Sequence, residues 1–227
     1  VTVEGFVSGG EVEHLGIVDS VMHSGTRSFR RFDFPSALPA EVQARMASVV
    51  RRIVPAIGLS ETMFNVELMY DPATGAAHVI EVNPRLCGQF ADLYEKVDGT
   101  NGYLVALALA TGRRPRLARG AGPCRVASSH PLRIFEPSRV VAAPDADRSA
   151  GAESLFPGTL VWNECAAGEE ISDFTSVEDG RSRRYAVVNL GGADHAEREA
   201  RIRTVIRDLG HRFEPIAGGA GPGGASA

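Results

Sequence analysis

Two acids and an amide, on what reads as a β-hairpin, are the residues of this sequence best suited to chemistry. They are Glu67 on one extended segment and Glu81 and Asn83 on the next. Residues 63–70 alternate: Phe64, Val66 and Leu68 share one parity, and Asn65 and Glu67 are the polar members. Residues 77–82 are β-rich around Val79, Ile80 and Val82, and Asp71-Pro72-Ala73-Thr74-Gly75 between the two is turn chemistry. Glu67 and Glu81 fall at similar distances from that turn, so they can lie side by side, and Asn83 shares the strand face of Glu81. Like charges set opposite each other repel, and a divalent cation would offset that. Two carboxylates and an amide carbonyl are hard oxygen ligands that suit magnesium carrying phosphate oxygens rather than zinc. Pro84 stops the ladder, and Arg85 follows on a loop, where its fork of N–H donors could hold a carboxylate or phosphate. Either glutamate alone would be an ordinary solvated strand residue. The combination, Glu on one strand and Glu-x-Asn-x-Arg closing the next, is what points to a metal–phosphate site.

At these residues the sequence resembles the ATP-grasp superfamily of ligases, well over residues 1–114 and loosely beyond. The resemblance implies that Glu67, Glu81 and Asn83 bind one or two magnesium ions, with manganese able to substitute. It implies that Arg85 contacts the substrate carboxylate or acyl phosphate, and that Met69, two past the first Glu, packs on adenine. The reaction it implies is ATP-dependent: a carboxylate is activated as an acyl phosphate and joined to an amine. Biotin-carboxylase-like chemistry on the same fold is the enzyme alternative, for which Leu86-Cys87-Gly88-Gln89 is a poor match. A non-catalytic metabolite-binding or interaction domain on that scaffold is the alternative from another class. Its support is that Lys96 is the only lysine, whereas the lysines that hold ATP phosphates in the family lie upstream of the matching region. An upstream N-terminal part of the same protein is therefore expected.

The elements that must position these residues can be read around them. Residues 1–7 and 12–21 form a second hairpin about Ser8-Gly9-Gly10, with Glu4, Glu11 and Glu13 read as solvated; Glu4 facing a nucleotide is the alternative. Residues 22–37 read as a long connection of little periodicity carrying His23, Ser24, Thr26, Arg27, Arg30 and Arg31. Arg27, Arg30 and Arg31 are candidates for an anionic substrate, His23 for a general base and Asp33 for an acid. Residues 36–58 read as an amphipathic helix, with Pro39 and Glu41 early, Gly58 at the stop, and Val42, Met46, Val49, Val50 and Ile53 on its core face. Gly88 and Gln89 could line the acceptor pocket. Residues 91–97 make a short helix. Asn101 caps a second, 102–111, whose apolar surface implies burial. Strands are expected at 125–129, 132–135, 140–142, 159–164 and 185–190, with 143–150 as a loop, Asp179-Gly180 as a turn and Trp162 in the core. The last helix, 194–209, has an apolar stripe of Ile202, Val205, Ile206 and Leu209 and a wet side that includes Arg198. The fold expected is α+β: an ATP-grasp-type, mainly antiparallel sheet with flanking helices over 1–116, a small β-rich module over 117–216, and a disordered tail over 217–227.

Composition narrows the function classes. The chain has 227 residues, 44% hydrophobic and 23% charged, with net charge −4, which is an ordinary globular balance. No basic stripe with interleaved aromatics favours nucleic acid. The three cysteines, Cys87, Cys124 and Cys165, match neither a disulfide framework nor a zinc pattern, and Cys87 reads as a small packing residue. No signal peptide or long apolar run is present, so no membrane is implied and a cytoplasmic location is expected.

Overall fold

The computed structural model describes residues 1–174 and 181–216; the turn expected at Asp179-Gly180 and the tail at 217–227 lie outside them. In chain order the elements are β1 (Thr2–Ser8), β2 (Glu11–Met22), β3 (Phe29–Phe34), α1 (Ala40–Ala56), β4 (Thr62–Asp71), β5 (Ala76–Asn83), α2 (Ala91–Asp98), α3 (Gly102–Ala110), β6 (Val126–Ile134), β7 (Ser138–Ala142), α4 (Ala146–Ser154), β8 (Leu160–Asn163), β9 (Glu170–Ile171), β10 (Arg183–Gly192), α5 (His195–Leu209) and β11 (Arg212–Pro215). The chain folds as α+β, with a large antiparallel sheet and flanking helices. It divides into two compact units: 1–20, 32–129 and 191–195 form the first, and 21–31, 130–190 and 196–227 the second.

In the first unit the strands run β5-β4-β1-β2-β3-β6. Alternation puts Val3, Val7, Phe64, Val66 and Leu68 on one face, where they pack with Val42, Met46, Val50 and Val54 of α1 in one buried cluster. Each of those four helix residues is buried at i, i+4 spacing, as an amphipathic helix on a sheet requires. The Asp71 carboxylate ties the β4–β5 turn by accepting from the Ala73 N–H (2.9 Å) and the Thr74 hydroxyl (2.7 Å), and Gly75 takes the left-handed conformation at φ 69°.

The β4–β5 ladder contains an irregularity. Near the turn Leu68 faces Val79, but Glu67 faces Glu81, so Ile80 is an extra residue on β5. The bulge rephases the strand: Val79 and Val82 both pack against the α1 core, while Glu81 and Asn83 turn to the other face.

The second unit has two apolar clusters. Val188 and Leu190 of β10 pack with Ala152 of α4 and with Ile202, Val205 and Leu209 of α5. Val140, Cys165, Ile171 and Phe174 form the other, against which Tyr185 and Phe213 lie. Strands β11, β7 and β9 make a three-stranded sheet.

Several local expectations are corrected. The connection at 22–37 contains β3, whose Phe32, Asp33 and Phe34 pair with Ser129, Ser128 and Ala127; the adjacent arginines Arg30 and Arg31 had broken the alternation. The expected loop at 143–150 is instead largely α4, capped by the Asp145 carboxylate, which accepts from the Arg148 N–H at 2.8 Å. Strands 125–129 and 132–135 are one strand, β6, running through His130-Pro131. Helix α3 is capped by Asn101 as expected, yet Tyr103, Leu104 and Leu107 are more than half exposed. Trp162 is exposed (41%), on the short strand β8. Arg198 is buried, and Ile206, expected on the apolar stripe, is partly exposed at 37%.

Candidate active site

The polar face of β1, β4 and β5 carries two parallel rows of cross-strand neighbours. Thr2 faces Glu67, which faces Glu81; Glu4 faces Asn65, which faces Asn83. Glu67 and Glu81 are thus opposed across the ladder, and Asn83 stands one step along the same face.

Hydrogen bonds fix the second row. The Asn83 amide N–H donates to Asn65 Oδ1 at 3.1 Å, and the Asn65 amide donates to the backbone carbonyl of Arg85 at 3.2 Å. With its nitrogen engaged, Asn83 keeps its carbonyl oxygen as the free acceptor of the pair, which is the atom a hard cation takes. An outer partner that orients a ligand in this way is a usual part of a metal site. Among the described residues no group of three or more His, Cys, Asp or Glu could hold a metal ion. The candidate set is therefore two carboxylates and an amide, which fits magnesium sharing its remaining positions with water and phosphate.

Glu4, read from sequence as a solvated residue, is fully buried. Its Oε1 accepts from the Cys87 N–H at 2.7 Å and its Oε2 from the Tyr94 hydroxyl at 2.9 Å. Tyr94 belongs to α2, which covers this end of the polar face. Burial pushes the Glu4 carboxyl up to about 7, against the opposing pull of the Cys87 N–H, the Tyr94 hydroxyl and the Arg85 charge. Cys87 lies two residues past Arg85, so Glu4 and Asn65 grip the Arg85 loop at two points. Burial also pushes the Cys87 thiol up to about 12, with the Glu4 charge adding to it, which disfavours the thiolate.

Arg85 itself is exposed, with Nη1 donating to the Leu86 carbonyl at 3.3 Å. Gln89 donates from Nε2 to Ser129 Oγ at 2.9 Å, and the Gly88 carbonyl accepts from the Tyr103 hydroxyl at 3.2 Å. Met69 is 60% exposed, on the same face of β4 as Glu67. Lys96 is buried and bound to Asp92 one helical turn away. Asp33 is buried opposite Ser128 in the first unit. His23, Arg27, Arg30 and Arg31 belong to the second unit, where the His23 ring packs edge-on against Phe135 at 4.9 Å.

The structure thus brings Glu67, Glu81 and Asn83 together with the Arg85 loop beside them. Sequence reasoning missed Glu4 and Asn65 as their supports. The parity of Asn65 with Glu67 was the available signal for one; nothing local marked Glu4.

Solved structures share this architecture. An L-amino acid ligase from Bacillus licheniformis matches with TM-score 0.69 and 19% identity, over 94% of this chain and 53% of that one. The biotin carboxylase domain of the 2-oxoglutarate carboxylase of Hydrogenobacter thermophilus, solved with magnesium ADP and bicarbonate, matches with TM-score 0.64 and 18% identity, over 95% of this chain and 46% of that one. The chain has the ATP-grasp fold. In sequence it is similar to carnosine synthase 1 of Gallus gallus, 38% identical over 90 residues, or 39% of this chain and 10% of that protein. The chain thus spans about a tenth of that curated relative and about half of the solved ones. No family model matches it. Among the described residues no helix is long and apolar enough to cross a membrane.

Proposed function

We propose that this chain carries the metal-binding and substrate-facing part of an ATP-dependent carboxylate–amine ligase. The observation that carries the reading is the face on which Glu67 opposes Glu81 and Asn83 is oriented through Asn65 towards the Arg85 loop.

In this reading Glu67, Glu81 and Asn83 hold one or two magnesium ions. Bound there, the metal would supply positive charge to the phosphate oxygens of ATP as charge develops in phosphoryl transfer. Arg85 holds the carboxylate that attacks the γ-phosphorus, and then the oxygens of the acyl phosphate formed as ADP leaves. An amine attacks the acyl carbon, the C–O bond to phosphate breaks, phosphate leaves and the amine proton is lost, giving an amide. Glu4 and Asn65 set the position of the Arg85 loop, Met69 offers its thioether to adenine, and Gly88 and Gln89 border the acceptor. Phosphate-holding cations must come from arginines or from residues outside this chain, since Lys96 is engaged by Asp92. Similarity to carnosine synthase 1 and the fold of an L-amino acid ligase support an amino acid or similar amine as one substrate.

Calorimetry with ADP, with and without magnesium, tests the reading on the chain and on a longer protein containing it. Magnesium-dependent binding that is lost in Glu81→Ala is the expected result. Binding by the longer protein that is indifferent to Glu81→Ala, or no nucleotide binding by either, overturns it.

A further inference from the structure

Helix α3 exposes three large side chains on one short element: Tyr103 (55%), Leu104 (64%) and Leu107 (54%). Leu107 lies about one turn from both of the others, so they form one patch, and a patch of this kind marks an interaction site. Leu104 and Leu107 also line a groove of about 400 Å3 between α3 and the chain that follows it. The far wall of the groove is the segment 113–118, and it is fixed at both ends. The Arg113 N–H donates to the Ala108 carbonyl at 2.8 Å. The Ala118 N–H donates to the Thr100 hydroxyl at 2.8 Å, and that hydroxyl donates to the Ala118 carbonyl at 3.0 Å. Val105, Ala108 and the buried Pro115 complete the apolar lining. The groove is therefore formed before anything enters it, which lowers the cost of binding.

The rim is positive. Arg113, Arg114 and Arg116 line the groove, and among the described residues no acid does. Arg114 reaches Glu13 at 3.0 Å, but the two side chains are 61% and 41% exposed, and such a pair contributes little. Arg113 donates from Nε to the Thr111 hydroxyl at 3.1 Å, and neither it nor Arg116 has an acidic partner among the described residues. The acids nearest in sequence are engaged elsewhere. Glu95 accepts from the Asn101 amide at 2.8 Å, and Asp98 from Arg119 and from the Gly120 N–H, both at 2.9 Å. This charge selects among occupants. A second copy docked by the same face would set one arginine rim against another. A bilayer takes apolar groups that project into it, whereas this lining is concave. Single-stranded nucleic acid stacks on aromatic rings, and among the described residues none lines the groove.

We propose that the α3 groove docks an acidic amphipathic helix of a partner protein, whose apolar side chains enter against Leu104, Leu107 and Pro115 and whose carboxylates meet Arg113 and Arg116. The nine residues of α3 give the groove a length of about 13 Å, which accommodates two anchors one turn apart on the docked helix. Apolar anchors at helical spacing give such a contact its affinity. The guanidinium forks at the rim accept carboxylate oxygens, and they set the choice of partner and the rate of encounter. None of the residues that dock the helix belongs to the metal, nucleotide or substrate positions of the ligase reading, so the proposal does not depend on it.

The test is fluorescence anisotropy on this chain with a labelled synthetic peptide of about 15 residues, long enough to form helix, with leucines at helical i, i+3, i+4 and i+7 spacing and glutamates elsewhere. One comparison peptide has glutamine for every glutamate, and another has serine for every leucine. The proteins are the unaltered chain, Arg113→Glu/Arg116→Glu, Leu104→Ser/Leu107→Ser and, as a control for net charge, Arg51→Glu/Arg52→Glu. All six residues replaced are exposed, and thermal melts verify that the variants fold. The expected result is binding of the first peptide that weakens with added salt. It should fall on the order of tenfold or more in each groove variant and with each comparison peptide, and hold in the Arg51→Glu/Arg52→Glu control. No binding of the first peptide, binding indifferent to either groove variant, or an equal loss in the control overturns the proposal. A dimer seen by light scattering that Leu104→Ser/Leu107→Ser dissolves would give the face to a second copy. Pelleting with phosphatidylserine vesicles in place of peptide binding would give it to a membrane surface. Either result also overturns the proposal.

Discussion

The two faces of the β1–β4–β5 sheet come from the same stretches of chain read at alternate positions, and they do different things. One face, with Val3, Phe64, Val66 and Leu68 against α1, is dry and closely packed. The other holds Glu67 opposite Glu81, the two asparagines and Glu4, and there Asn83 is tied to Asn65 while Asn65 and Glu4 are tied to the Arg85 loop. The apolar face contributes stability without direction, since burial energy follows area. The polar face contributes direction, and part of it, the Glu67–Glu81 opposition, works against stability. Substitutions on the two faces should therefore separate folding from binding.

The largest effect is expected on the dry face. Phe64 is fully buried, and Phe64→Ala should cost about 3–5 kcal/mol in denaturant unfolding; nucleotide binding, where the protein remains folded, should be retained. Next is Glu4, as a function of pH. Its folded carboxyl is raised to about 7, so the native state holds a proton that the unfolded state releases. Glu4 therefore stabilises at low pH, and that contribution is lost as pH rises from about 4.5 to about 7. Glu4→Gln mimics the protonated acid, so it should gain on the unaltered chain across that window by an amount on the order of 3 kcal/mol. His14, His130 and His211, lowered to about 4, 3 and 4, drive stability the other way and are present in both proteins. The difference between the two unfolding curves isolates Glu4; a difference flat in pH would remove the claim.

Asn65→Ala should cost about 1–3 kcal/mol through its two lost hydrogen bonds. It should also weaken metal affinity about 10–100-fold, because Asn83 loses its orienting partner. A thermal melt and a magnesium titration read the two effects separately. The smallest change in stability is a gain expected for Glu81→Gln without metal: roughly 0.2–1 kcal/mol from relieved repulsion, with metal-dependent nucleotide binding lost. A destabilised Glu81→Gln would mean that the opposition is already neutralised within the protein.

The hairpin and its acids were legible because both depend on local information: alternation, turn residues and counting back from the turn. The long helix α1 was legible for the same reason, its apolar positions repeating at helical spacing. Glu4 was not, because a lone acid on an alternating strand looks solvated until Tyr94 and the Cys87 N–H, some 83 to 90 residues away, come to it. Arg198 failed in the same way, its charge placing it on the wet side of α5 when the fold buries it. Strand β3 was hidden because it carries Arg30 and Arg31 in succession, and one of its two neighbours, β6, lies about a hundred residues on.

The extra residue Ile80 has a consequence for how the length of this hairpin can vary. Everything on its turn side can grow or shrink without altering which way Glu81 points, because the bulge absorbs the change of phase. Removal of Ile80 itself would leave an even ladder in which Glu67 still meets Glu81. Removal of Val82, two positions on, would rotate Asn83 into the dry face and carry the Arg85 loop with it. Two single-residue deletions, one on either side of the same glutamate, should thus have opposite fates. Chains descended from a common hairpin should differ freely in length before Glu81 and hold the spacing from Glu81 to Arg85 fixed.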